Sequence, residues 1–142
     1  FDSWAGTLSV PDYEKYAAPH STAVFTGTAD LGLPRIHFGT KTSELLVAMR
    51  ACGADVIGID DRTLLSDAIE RLGADIPVQG NIDPAMLFAP WPTLQAHVDE
   101  ILMSGRTAPG HIVNLGHGVP PTADPDVLSR VVDYVHQVPV QP

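Results

Sequence analysis

The sequence predicts an α/β protein built on a parallel sheet, and three observations carry that prediction. Four strand-length apolar runs recur along the chain: PRIHFGT at 34–40, ADVIGID at 54–60, IPVQGNID at 76–83 and HIVNLGHG at 111–118. Each run is followed by a stretch of helical period, so the order alternates β and α as parallel sheets with crossover helices require. Polar residues collect at the carboxyl ends of the runs while the bodies stay apolar, which is where parallel α/β proteins bind ligands. With 142 residues, 44% of them apolar, the chain is long enough for one domain with its own core.

The elements follow in order. Residues 1–3 read as the end of a strand. A helix is expected from about Val10 to Gly27, with Tyr13, Tyr16 and Ala17 on one face. Ser9 and Asp12 resemble a capping box, and Pro19 should kink or break this helix. After the first strand, Leu45, Leu46, Met49 and Cys52 recur at helical spacing behind Thr42 or Ser43. After the second, Leu64, Leu65, Ala68, Ile69 and Leu72 form a stripe, with Thr63 as the expected N-cap and Gly73 closing the helix. After the third, Leu94, Val98, Ile101 and Leu102 repeat, with Thr93 as the expected cap and a stop near Gly105. The last helix carries Leu128, Val131, Val132 and Val135, and opens with Asp124 as N-cap and Pro125 at the first helical position.

This order fits an open doubly wound sheet or part of a (β/α)8 barrel. A complete barrel takes about 250 residues, and the chain supplies four strands and a strand end. The first residues, FDSWAG, contain no initiator Met, consistent with processing or with a missing upstream segment. The balance of 8 Lys+Arg against 17 Asp+Glu gives a net charge of −9, the wrong sign for a general nucleic-acid binder. The apolar runs are too short to span a bilayer. Residues 1–20 carry Asp2, Asp12 and Glu14 and no uninterrupted apolar core, so no secretory signal is expected there. The single cysteine, Cys52, excludes an internal disulfide and a zinc site of several thiolates, and a reducing cytoplasm fits it.

The expected rim comprises Phe1, Asp2 and Ser3; His37 and Gly39; Asp60 and Asp61; Gln79, Asn81 and Asp83; and Asn114, His117 and Gly118. His117 between Gly116 and Gly118 is either a loop histidine or a ligand contact; the glycines favour the contact, because they let a ligand approach the backbone. Ser3 could equally satisfy a turn, and Asp61 could cap the helix behind it. Gln79 and Asn81 are two residues apart and should share one face, as a buried hydrogen-bond network or as ligand contacts. Cys52 reads as core, and His20, His97, His111 and His136 as structural or surface residues. No dinucleotide fingerprint, Walker sequence, nucleophile elbow or H-E-x-x-H occurs, and no His, Cys and Asp show metal-ligand spacing, so no metal is expected.

FDSWAGTLSVPDY at 1–13, VQGNIDP at 78–84 and GHIVNLGHGVPPTADPDVL at 110–128, with IHFG and ADVIGID between them, together resemble uroporphyrinogen decarboxylase. The resemblance extends over essentially the whole chain. It implies the carboxyl-terminal half of a (β/α)8 barrel, strands 5–8 with their helices, with residues 1–142 as that half of one barrel domain. It implies cofactor-free removal of carbon dioxide from the four acetate side chains of uroporphyrinogen III, giving coproporphyrinogen III in haem biosynthesis. A pyrrole carbon is protonated, the ring cation takes up the electron pair, and the carboxylate leaves. The family's arginines, its pyrrole-binding aspartate and its tyrosine belong to the other half, so no catalytic residue is expected here. Onto this chain the resemblance carries substrate-binding roles for Ser3 and His117, with Phe1 lining the same pocket. It also implies a cytoplasmic homodimer for the full-length enzyme. Where the family often reads GLDW, this chain reads GIDDR at 58–62; Asp61 replaces an aromatic, and the adjacent Arg62 could offset the added charge.

Two other readings stand beside the enzyme. One is a non-catalytic half-barrel that self-associates through its open sheet edges. The other is a related barrel methyltransferase that holds zinc through His and Cys, for which a lone helical cysteine is poor material. Residues 1–142 alone are expected to be inactive.

Overall fold

A computed structural model describes residues 1–139. Four strands, β1 (Ile36–Phe38), β2 (Val56–Gly58), β3 (Val78–Gln79) and β4 (His111–Ile112), pair in parallel in sequential order. The expected strand end at residues 1–3 is present: Asp2 bridges in parallel to Gly39, its N–H reaching the Phe38 carbonyl at 2.9 Å. All five positions therefore progress in one direction. A doubly wound sheet would reverse its order at a switch point; this one does not, and its order is that of a barrel wall.

The first helical segment runs without interruption as α1 (Val10–Asp12), a π turn over Tyr13–Ala17, and α2 (Ala18–Gly27). Pro19 has no N–H to give to the preceding turn. The backbone answers by widening, with the Ala18 N–H reaching back to the Tyr13 carbonyl. The expected distortion is thus a bulge, not a break. Half of the capping box forms: Ser9 Oγ accepts from the Asp12 N–H at 3.3 Å, but the Asp12 carboxylate takes the Ser9 hydroxyl at 2.8 Å. Tyr13 is wholly buried and Tyr16 is exposed, because the widened turn separates them.

The remaining helices are α3 (Leu46–Ala51), α4 (Leu65–Leu72), α5 (Trp91–Gly105) and α6 (Pro125–Gln137). Asp124 caps α6 as expected, accepting from the Asp126 N–H at 2.9 Å. Three other expected caps are not made. Thr42 gives its hydroxyl to the Gly39 carbonyl at 3.1 Å, and a 3-10 turn over Ser43–Leu45 leads into α3. The chain enters α4 through extended Leu64, leaving Thr63 to bond Ser43, and it enters α5 through Pro90, which places Thr93 inside the helix. Leu64 and Val132 belong to the expected stripes by spacing but are exposed. Leu64 precedes its helix, so it never shares the helical face.

Helices cover one face of the sheet. Ile57 and Val78, paired across β2 and β3, pack with Leu65, Ala68 and Ile69 of α4 and Leu94, Val98 and Ile101 of α5 in the main core. A smaller core gathers Tyr13, Phe25, Leu45, Met49 and Cys52. Cys52 is buried there, its thiol 3.3 Å from the Ala48 carbonyl, in keeping with a core residue. Burial, with Cys52 beside it, pushes the Tyr13 phenol well above its ordinary pKa.

Candidate functional site

Strand alternation sorts the sheet residues into two rows. In register across β1 to β4, His37, Ile57, Val78 and His111 form one row, and Phe38, Gly58, Gln79 and Ile112 form the next. The first row faces the helices. The second faces the open side, where the carboxyl ends frame a cleft of about 340 Å³. Its wall includes Phe1, Ile36, Phe38, Ile59, Gln79, Asn114, Leu115, His117 and Gly118. A larger cavity of about 560 Å³ lies between α5 and α6 beside Gly110 and His111, at the opposite end of β4. Position favours the smaller one, because binding loops of a parallel α/β protein stand at the carboxyl ends.

The cleft floor is aromatic. A Cβ at Gly58 would stand 2.8 Å from the Phe38 ring, so the glycine is what lets that ring lie across the neighbouring strand. Phe1 stacks on Phe38 with 5.1 Å between centroids and a 35° tilt. The Asp2 carboxylate fixes the chain just beyond, accepting from the Trp4 N–H at 3.0 Å and the Ala5 N–H at 2.8 Å. Ser3 is exposed beside the cleft and not in its wall; its carbonyl accepts from the Thr40 hydroxyl at 3.4 Å. Phe1 and His117 therefore meet in one cleft, with Ser3 as a neighbour.

His117 takes its place from a chain of backbone contacts. The Gly116 N–H donates to the Ile82 carbonyl at 2.8 Å. A Cβ on Gly116 would lie 2.2 Å from the Asp61 nitrogen. This corrects the expectation that both flanking glycines serve ligand approach: Gly116 exists to let the β4 turn lie against the loop after β2. Gly118 alone is open, with nothing near its would-be Cβ. The Gly118 N–H donates to His117 Nδ1 at 2.7 Å, so in the neutral ring Nε2 carries the proton and is the donor offered outward.

Several other expected rim residues are structural. His37 faces the helices, its Nδ1 3.1 Å from the Met49 carbonyl and its ring 5.0 Å from that of Phe25. Strand alternation explains why it leaves the rim that Phe38 joins. Burial lowers the pKa of His37, and likewise that of His111, whose Nε2 lies 2.6 Å from the Gly80 carbonyl. The Asp60 carboxylate is taken by the Lys41 and Arg62 N–H groups. Gln79 and Asn81 do not share a face, because Gly80, at φ +134°, breaks the alternation between them. Gln79 points to the cleft. Asn81, only 3% exposed, donates to the carbonyls of Asp60 at 2.9 Å and Thr63 at 2.6 Å, and its Oδ1 has no partner among the described residues. The Arg62 guanidinium enters no ion pair with Asp61; the ion pairs among the described residues are Arg35–Asp55, Arg50–Asp75 and Arg71–Glu44. No group of three or more His, Cys, Asp or Glu able to hold a metal occurs among the described residues. No helix there is long and apolar enough to cross a membrane.

The family model described as uroporphyrinogen decarboxylase matches residues 1–138. The chain belongs to the uroporphyrinogen decarboxylase family. It is 58% identical to the uroporphyrinogen decarboxylase of Salinispora tropica over 142 residues, which are all of this chain and 38% of that one. It is 57% identical to that of Arthrobacter sp. (strain FB24), covering 97% of this chain and 40% of the relative. A third, from Leifsonia xyli, is 51% identical over 96% of this chain and 40% of its own length. The chain thus spans about two fifths of the curated relatives it matches. The family fold is a (β/α)8 barrel, and the sequential parallel strands form one arc of its wall.

Within that family frame the open row becomes the lumen side of a barrel strand set and the His37 row its helix side. Sequence reasoning put Asn114 at the rim without a role of its own and left Gln79 between a buried hydrogen-bond network and a ligand contact. It missed Phe38 and Gly58 as cleft residues, although the alternation from buried His37 to Phe38 was a usable signal.

Proposed function

We propose that this chain is the carboxyl-terminal half of a uroporphyrinogen decarboxylase barrel, and that its cleft binds the carboxylated tetrapyrrole. The observation that carries this reading is the cleft itself. A flat aromatic floor, Phe1 on Phe38, stands beside a histidine whose donor nitrogen is turned outward. The floor suits the faces of pyrrole rings and the donor suits a carboxylate. His117 hydrogen-bonds a substrate carboxylate, Ser3 offers its hydroxyl at the cleft's edge, and Phe1 packs on the macrocycle. The reaction is cofactor-free decarboxylation of the four acetate side chains of uroporphyrinogen III to coproporphyrinogen III. Proton handling and the main grip on the carboxylates come from groups outside residues 1–142, which also reconciles a net charge of −9 with an anionic substrate. The complete enzyme acts in the cytoplasm as a homodimer.

A decarboxylation assay with uroporphyrinogen, run on samples of known intact mass, tests this. A chain of the relatives' full length carrying these residues should turn over, and the 142-residue chain alone should not. Turnover by the 142-residue chain alone would overturn the placement of the essential groups, and failure of the longer chain would overturn the reading. The alternative, a non-catalytic half-barrel pairing with a second copy, is favoured by the exposed Phe1 and Ile112 on the open face; it requires a dimer of the 142-residue chain that binds no porphyrinogen.

A further inference from the structure

We propose that Asn114 is a second carboxylate-binding residue of this cleft, acting as a partner donor to His117. The proposal rests on the reading of the cleft given above. Two residues beyond Ile112 on the same strand line, Asn114 falls on the open face, and it lines the cleft. Its Oδ1 accepts from the Leu115 N–H at 2.9 Å. Only the amide oxygen can accept from a backbone N–H, so this bond fixes which way the amide is turned. The Nδ2 group is left with no protein acceptor among the described residues. His117 repeats the arrangement, its acceptor nitrogen occupied by the next residue's N–H at 2.7 Å.

Both polar side chains therefore keep their acceptors against the backbone and present donors. Gln79, in the same wall, has no side-chain partner among the described residues and can add a third. Among the described residues no Asp or Glu lines the cleft, although acidic residues outnumber basic ones by 17 to 8 in the chain. The buried Asp60 has its carboxylate oxygens committed to the Lys41 and Arg62 N–H groups. With the Asn114 and His117 acceptors already occupied, these two donors select an acceptor ligand, and a carboxylate accepts from two N–H groups at once.

The test is steady-state decarboxylation of uroporphyrinogen by the full-length chain carrying Asn114→Asp or Asn114→Ala. Asn114→Asp keeps the oxygen that accepts from Leu115 and replaces the donor by a negative charge. KM should rise about tenfold in Asn114→Ala, the loss expected for a hydrogen bond to a charged group, and at least as much in Asn114→Asp. In both, kcat should stay within twofold and the melting temperature should match the parent's. If Asn114→Asp melts early, the Asn114→Ala KM decides. Parental KM in the folded variants, or a loss confined to kcat, would overturn the role of Asn114. An inactive parent would instead overturn the decarboxylase reading itself.

Discussion

The two faces of this sheet are adjacent rows of the same strands, yet they are built for opposite purposes. The row His37, Ile57, Val78, His111 turns to the helices: its centre is wholly buried and aliphatic, and each flanking histidine is bonded to a backbone carbonyl. The row Phe38, Gly58, Gln79, Ile112 turns to the open side: one aromatic, one glycine that makes room for it, one amide without a side-chain partner among the described residues, and an isoleucine 45% exposed. Polar groups on the covered side are satisfied by the protein and hold it together. Those on the open side are left for something else to satisfy.

The sharpest way to break this comparison is truncation in the 142-residue chain. Ile57→Ala should cost roughly 3 kcal/mol in urea unfolding, the range for a fully buried large-to-small change. Ile112→Ala should cost under about 0.5 kcal/mol, as for an exposed position. Comparable losses at the two sites would abolish the distinction. The polar pair on either side of Gly80 comes next. Asn81→Ala removes two donors from buried carbonyls and should cost about 2 kcal/mol, whereas Gln79→Ala should leave the unfolding midpoint within error. At the cap of α6, Asp124→Ala should cost about 1 kcal/mol, showing how small a local helix signal is beside the core.

The smallest effect is a pH dependence. His37 and His111 have pKa values lowered by burial, so below their ordinary value the unfolded chain binds more protons than the folded one. Stability should therefore fall as the pH drops from about 6.5 towards the lowered values, with 6.5 the ordinary histidine pKa. Changing both residues to Gln should flatten that region of the curve in thermal melts across pH 5 to 7.5. Asp55 adds an acid limb: its hydrogen bonds to Arg35 hold its pKa at about 2, so its contribution is present above the ordinary carboxylate range and lost as the pH falls through about 2.

What the sequence made legible follows the reach of each signal. The β–α alternation and the Asp124–Pro125 start of α6 depend on residues close in the chain, and both are seen in the fold. The caps expected at Thr63 and Thr93 depend on where the backbone turns into the helix, and Leu64 and Pro90 make that turn instead. Gly116 was misread because its partner, the Asp61 backbone, is far away in sequence. The site divides in the same way. Phe1 and His117 stand out through their motifs and meet in one cleft. The amide orientation of Asn114 depends on a single bond to Leu115, which no residue pattern displays.

The most direct test of the two-face account is histidine-ring NMR of the full-length chain during titration with uroporphyrinogen under reducing conditions. The His117 ring resonances should shift on binding, while those of His37 and His111 stay in place. Shifts of His37 or His111 with a still His117 would contradict the account, because ligand would then be engaging the side that the helices already cover.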